Sequence, residues 1–512
     1  MPITYLLGAI AATFWPGFPR IELDPGFFFL CFVPPLIFAE GWLMPLRDFV
    51  EAKRPILLLS TGLVIFTTLA VGLTAHWLVP DLPLAMAFAL GAVVSPTDAV
   101  AVSAITQRLK VPARLTTILN GESLMNDATG LVAFKFALAA VAVGTFSVRA
   151  AALDFVILAV GGLALGLAIA YLIGKLRDLL LATHNTDAMV EVTISLMIPF
   201  IAYLAAEAIG VSSILAVVTA GLYSGWRDPL RMDVETRRNA YSVWSFILFW
   251  LNALAFILLG LQFPAILDRL DDRYSTGYIL LVVGAVTGAA ILARLIWVFP
   301  GAHLPRLLSK KIRTTETAPS WQGVFVTGWA GMRGSVTLAA ALSIPLTLPD
   351  GSDFPGRDTV IILAFGVIVS TLLLQGTTLE ALICKLGLRA DDTFARETQL
   401  ARTAAVESAL RGLKEIETAN YTHGERAALA LVVAEYEHRL AELTAEGKVK
   451  ASAKLRRTTG IRHRLHALRA ERVAIDELWR KNVITDETHR PLQYLLDQEE
   501  SLLEGHAAHG KE

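Results

Sequence analysis

From Met1 to about Leu388 the chain repeats one pattern, an apolar run followed by a short polar interval. A hydrocarbon layer about 30 Å thick is crossed by roughly 20 apolar residues in helical form. The runs therefore predict about twelve spans, near residues 3–18, 26–46, 55–79, 83–107, 112–143, 152–174, 187–208, 211–225, 240–263, 276–300, 321–346 and 358–385, with the first and eighth short. From Arg389 the pattern changes to amphipathic helices rich in Ala, Leu, Glu and Arg, such as Glu425 to Glu442 and Ala451 to Lys481. The expected fold is an all-α polytopic membrane domain over residues 1–388 and a soluble helical tail over residues 389–512.

Composition agrees: 54% of the 512 residues are hydrophobic and 18% charged, which is a membrane composition. The net charge of −1 removes any basic field that would argue for nucleic acid, so the placement of Lys and Arg matters more than their number. Intervals carrying Arg47, Lys53, Arg54, Arg108, Lys110, Arg114, Lys175, Arg177, Arg227, Arg231, Arg237, Arg238, Arg306, Lys310, Lys311 and Arg313 alternate with intervals carrying only Arg20, Arg149, Arg269, Arg273 and Arg357. This roughly threefold bias places the first set, and both termini, on the cytoplasmic side. Met1 enters an apolar stretch with no basic leader segment, so no cleaved signal is expected. Cys31 and Cys384 read as separate buried thiols. Seven of the ten histidines fall in the tail without the four-residue spacing of a helical metal clamp, so they are expected on its surface.

Ionisable groups inside a span are costly and mark ion paths by default. They concentrate in two neighbouring spans: Ser95-Pro96-Thr97-Asp98 in the fourth, and Gly121-Glu122-Ser123-Leu124-Met125-Asn126-Asp127 in the fifth. Four-residue spacing puts Ser123 with Asp127 on one stripe and Glu122 with Asn126 on the next, and both stripes are expected to face one direction. Pro96 removes a backbone donor and clashes with the preceding turn, freeing carbonyls near Thr97. Such unwound backbone is tolerated only where it lines a cavity or is buried in protein. The site offers oxygen ligands without His or Cys, which suits a hard alkali cation. A poorly solvated carboxylate at Asp127 can be neutralised by a proton or by a cation, and that competition is the basis of antiport. With Asn126 neutral, one-for-one electroneutral exchange is the simplest charge count. The bland alternative is a satisfied polar network between helices.

These residues resemble the paired signatures of the sodium/proton exchanger family, which contains the bacterial NhaP and mammalian NHE exchangers. Pro34 to Arg47, Arg294 in the tenth span, and Gly331-Met332-Arg333-Gly334 agree as well, so that the resemblance runs in order over about residues 1–388. It implies a monovalent cation/proton antiporter, not an enzyme, with inverted repeats and two broken crossing helices around the ion site. Asp127 takes the role of the Na⁺- and proton-binding carboxylate, with Ser123, Thr97 and Asp98 completing the site. Asn126 resembles the partner that marks electroneutral members, and Glu122 with Arg294 resembles a buried ion pair. Glu40 either joins the ion path or reaches water near the end of its span. Arg333, among Gly328, Gly331 and Gly334, either offsets the partial charges of the exposed helix ends or serves as a structural cap. No cofactor is implied beyond the transported Na⁺ and H⁺, and the partners are membrane lipid and a second copy in a homodimer. Family members usually have thirteen spans, and the match begins within their second, so the first, which contributes to dimer contacts, is expected to be absent. Sodium leads, with lithium and potassium left open. A channel on the same scaffold and an intramembrane enzyme are the competing classes; against the latter stands the lack of a His-Glu-x-x-His, a Gly-x-Ser-x-Gly or a phosphate loop.

Overall fold

The computed structural model describes residues 24–109, 111–143, 148–183, 187–262, 275–315, 318–348, 350–388, 393–416, 421–444, 447–481 and 483–508. The first expected span lies outside them. The chain divides into two compact units, residues 1–390 and 391–512.

In the first unit the described residues are helical, with one isolated bridge between Thr347 and Asp353. The helices are α1 (Pro25–Cys31), α2 (Val33–Leu43), α3 (Leu46–Glu51), α4 (Lys53–Leu57), α5 (Val64–Leu78), α6 (Leu84–Val94), α7 (Ala99–Leu109), α8 (Ala113–Val143), α9 (Val148–Thr183), α10 (Ala188–Ile209) and α11 (Ser213–Arg227). They continue with α12 (Val234–Leu261), α13 (Thr276–Leu308), α14 (Lys310–Thr315), α15 (Trp321–Trp329), α16 (Ser335–Leu342) and α17 (Arg357–Lys385). A π-helical turn, Leu58–Leu63, joins α4 to α5 into one long element. Among the described residues, eight helical stretches are long and apolar enough to cross a membrane. The α6–α7 pair, α11 and the α15–α16 pair occupy the positions of the other expected spans. This is a multi-pass membrane protein.

Local chemistry sets the helix ends. The side chains of Asp187, Ser212, Ser275 and Ser320 each accept a backbone N–H of the first turn they precede, satisfying donors that have no partner inside the helix. Gly210 closes α10 at φ +78°, a left-handed conformation open to glycine at no steric cost. Small residues then let backbones approach. A Cβ on Gly162 or Gly166 of α9 would strike the backbone of α11 at Ser212 or Ala216.

Two large apolar clusters result. One gathers α5, α6, α7, α13, α15 and α17 around Met86, Leu90, Val286, Val326 and Ile368. The other gathers α1, α2 and α9 to α11 around Phe38, Trp42, Ile198, Val217 and Trp244. Helices α8, α12 and α16 contribute to both and form the seam between them.

Two expectations need correction. Helix α9 runs to Thr183, past the expected end near residue 174, because Arg177 is buried rather than in a loop. Its guanidinium donates to Asp228 at 2.5 Å and lies 4.0 Å from Glu191, so its charge is neutralised inside the protein. Cys384 is exposed on the outer face of α17, not buried, and Cys31 is half-buried.

The second unit holds α18 (Thr393–Lys414), α19 (His423–Thr444), α20 (Gly447–Arg480) and α21 (Asp486–Ala508). Thr422 and Glu425 form a capping box at the start of α19, with reciprocal bonds of 2.7 and 3.3 Å. Ile461, Leu468, Leu496 and Leu503 zip α20 to α21. Arg472 reaches Asp497 and Glu500 across the same pair, both at 2.6 Å. His489 bonds Asp476 at 2.8 Å and stacks on Trp479, and the side-chain hydrogen bond from His489 holds the Asp476 carboxyl below its ordinary range.

Candidate ion site

Helix α6 stops at Val94, and residues 95–98 pass without helical geometry before α7 resumes at Ala99. Pro96 cannot donate to the ladder, and its ring would meet the carbonyl four residues back. Helix α15 stops at Trp329, and Ala330 to Gly334 run without helical structure, Gly334 itself extended, to the start of α16. The two interruptions touch: the Asp98 N–H donates to Met332 O at 2.8 Å. Arg333 stitches them further, its Nε donating to Val94 O at 2.9 Å and its Nη1 to Gly331 O. Val94 ends α6, so its carbonyl has no intrahelical donor and the guanidinium supplies one. A Cβ at position 334 would overlap the Asp98 carboxylate, so glycine is required at this approach.

Behind the interruptions runs a buried polar chain. Asn126 Nδ2 donates to Thr97 Oγ1 at 2.9 Å, and Thr97 donates to Glu122 Oε1 at 3.3 Å. Glu122 takes both arms of Arg294, Nη2 to Oε2 at 2.8 Å and Nη1 to Oε1, while Arg294 Nε donates to Thr327 O at 3.0 Å. Glu122 and Arg294 are each about 1% exposed. This bidentate geometry satisfies both charges, and it ties α8, α13 and α15 to the unwound residue Thr97.

In front lies a partly open cavity of about 340 Å³. Its walls are Leu36 and Glu40 of α2, Pro96, Thr97 and Asp98, Ser123 and Asp127 of α8, Asn252 of α12, and Gly334, Val336 and Thr337. Its lining includes three carboxylate residues and the hydroxyl residues Thr97, Ser123 and Thr337; no Lys, Arg, His or Cys lines it among the described residues. Those carboxylates do not converge into a closed metal-holding cluster among the described residues. The arrangement is an open, anionic chamber with oxygen donors.

Placement of the sequence candidates is therefore mixed. Asp127, Ser123, Thr97, Asp98, Pro96 and Glu40 meet at the cavity. The expectation that the two stripes of α8 face one way fails. A helix turns about 100° per residue, so Ser123 and Asp127 line the cavity while Glu122 and Asn126 point into the network behind it. Asn126 thus holds Thr97 and does not border the chamber. Lys135 and Glu207 pair with each other at 3.9 Å, away from it. Sequence reasoning missed Asn252, whose signal is one amide in the otherwise apolar stretch Phe246 to Leu261.

A model described as the sodium/hydrogen exchanger transmembrane region matches residues 1–385. The chain belongs to that family. This exchanger is 35% identical over 495 residues to a sodium, potassium, lithium and rubidium/H⁺ antiporter of Bacillus pumilus, covering 95% of this chain and 72% of that one. It is 35% identical over 515 residues to a protein of Escherichia coli named the uncharacterized Na⁺/H⁺ exchanger YjcE, covering 97% of this chain and 92% of that one. Among solved structures, the sodium proton antiporter MjNhaP1 of Methanocaldococcus jannaschii superposes with a TM-score of 0.58 at 20% identity, over 75% of this chain and 92% of that one. At that identity the likeness speaks for the fold.

Proposed function

We propose that this exchanger is a secondary antiporter that moves Na⁺ against H⁺, one for one, by alternating access at the Asp127 cavity. The observation that carries the reading is a partly open chamber with three carboxylates, neutral oxygens and, among the described residues, no basic lining side chain. Such a chamber attracts a cation, and its oxygen-only donors favour a hard one. A carboxylate in a poorly solvated wall is neutralised by H⁺ or by a metal ion, so each ion displaces the other. The two touching helix interruptions supply the adaptable backbone around that exchange. Because the relative from Bacillus pumilus is named for sodium, potassium, lithium and rubidium, Li⁺ and K⁺ belong among the cations to be tested.

The distribution of Lys and Arg further supports a bacterial cytoplasmic membrane with both termini inside, where such exchange would regulate cytoplasmic pH and sodium. The test is a pH-dye assay in proteoliposomes loaded with acid and challenged with NaCl. Asp127→Asn should abolish cation-dependent proton efflux with normal expression. Substantial exchange in that variant, or cation movement without counterflow of protons in the unaltered protein, would overturn the reading.

A further inference from the structure

Asn252 belongs to the wall of the cavity that the sequence motifs do not cover. It sits on α12, is 2% exposed, and is the one side-chain amide in the stretch Phe246 to Leu261. Burying an amide among aliphatic and aromatic groups costs free energy unless its donors and acceptor find partners. Only half of that cost is met within the helix, where Nδ2 donates to Leu248 O at 2.7 Å. Planar amide geometry then turns the oxygen away from the α12 backbone, and the open space on that side is the chamber containing Asp127, Asp98 and Glu40.

The chemistry of the chamber gives that oxygen a use. Three carboxylates supply ample negative charge, and a fourth would hold a monovalent ion too firmly to let it leave. A neutral carbonyl oxygen raises the number of ligands without raising the charge. Asn252 shares the lining of the chamber with Glu40 of α2 and with Ser123 and Asp127 of α8. Selection among alkali ions depends on how many oxygens replace the lost water and how far apart they are held. The tether to Leu248 fixes this oxygen in place.

We propose that the side-chain oxygen of Asn252 is a cation ligand on the α12 wall and sets the preference among Li⁺, Na⁺ and K⁺. The assignment rests on the reading of the cavity as the exchange site. Threonine is the informative replacement. Its hydroxyl donates to the carbonyl four residues back, as Thr68 does to Val64 O at 2.8 Å in this chain, so Asn252→Thr keeps the tether and removes only the oxygen presented to the ion.

The experiment measures exchange in proteoliposomes with LiCl, NaCl and KCl in turn, for the unaltered protein, Asn252→Thr and Asp127→Asn. The expected result for Asn252→Thr is an apparent KM for Na⁺ raised about tenfold, the energy of one good hydrogen bond, with maximal rate within about twofold and the ranking of the three cations changed. An unaltered KM and ranking would overturn the assignment, as would a fall in maximal rate alone, which marks a structural role. Cation-dependent thermal stabilisation of the purified protein is the second readout. A packing defect lowers the melting temperature without salt and leaves the Na⁺-dependent increment intact, whereas loss of a ligand shrinks the increment. Exchange that survives in Asp127→Asn would strike the underlying reading of the site instead.

Discussion

The Glu122–Arg294 pair allows a quantitative test of how the site is held together. Both side chains are about 1% exposed, and each spends its remaining capacity on one further partner, Thr97 for Glu122 and the Thr327 carbonyl for Arg294. Arg294→Met leaves a carboxylate in the protein interior with one hydroxyl donor; Glu122→Leu leaves a guanidinium with one carbonyl. Each single change should cost about 3–5 kcal/mol, because the surviving charge cannot be rehydrated. The double variant removes both charges and should cost clearly less than the sum, giving a coupling energy of at least about 2 kcal/mol. Unfolding free energies can be read from SDS titrations in mixed micelles, followed by tryptophan fluorescence or by helical circular dichroism. Hydrogen bonds inside membrane proteins often contribute only about 0.6 kcal/mol, so the expected coupling stands well outside that range. Single costs below about 1 kcal/mol that simply add would show that the two groups are solvated or independent, and would remove the pair as the brace of Thr97.

The close approach at Gly334 predicts that Gly334→Ala displaces the Asp98 carboxylate and raises the apparent KM for Na⁺ in proteoliposome exchange; unchanged kinetics would mean that Asp98 gives way freely. In the tail, the depressed Asp476 carboxyl stabilises the α20–α21 pairing above the ordinary aspartate range and ceases to do so as pH falls through its depressed folded-state value. Hydrogen exchange across residues 486–508 of the full-length protein, corrected for intrinsic rates, should quicken in Asp476→Ala at neutral pH and in the unaltered protein only on acidification below about 4; equal protection in all samples would detach Asp476 from the pairing.

Long apolar runs and a proline inside one of them are one-dimensional signals, so the spans and the interruption at Pro96 could be read directly from residue order. The interruption at Ala330 to Gly334 showed through its glycines. What residue order hides is direction. Glu122 and Ser123 are adjacent, and only the packing of Arg294 and Thr97 decides that one faces a brace and the other a chamber. The end of α9 was obscured for a related reason. Arg177 and Asp178 look like loop charges until Asp228 and Arg227, about fifty residues later, are seen to neutralise them. Asn252 was hidden because a lone amide has no motif; its neighbours in space come from α2, α8 and the two interruptions.

The chamber draws its walls from α2, α8, α12 and the two helix interruptions. Asp127 therefore has companions of two kinds. Ser123 rides one turn away on its own helix, whereas Glu40 and Asn252 belong to two other helices, α2 and α12. A slide of α8 by one helical pitch against α2 and α12, about 5.4 Å, would carry Asp127 and Ser123 to new neighbours and leave Glu40 and Asn252 behind. The ion would then feel different tightness on the two faces of the membrane with its principal carboxylate unchanged, and substitutions along α2 and α12 could tune loading and release separately.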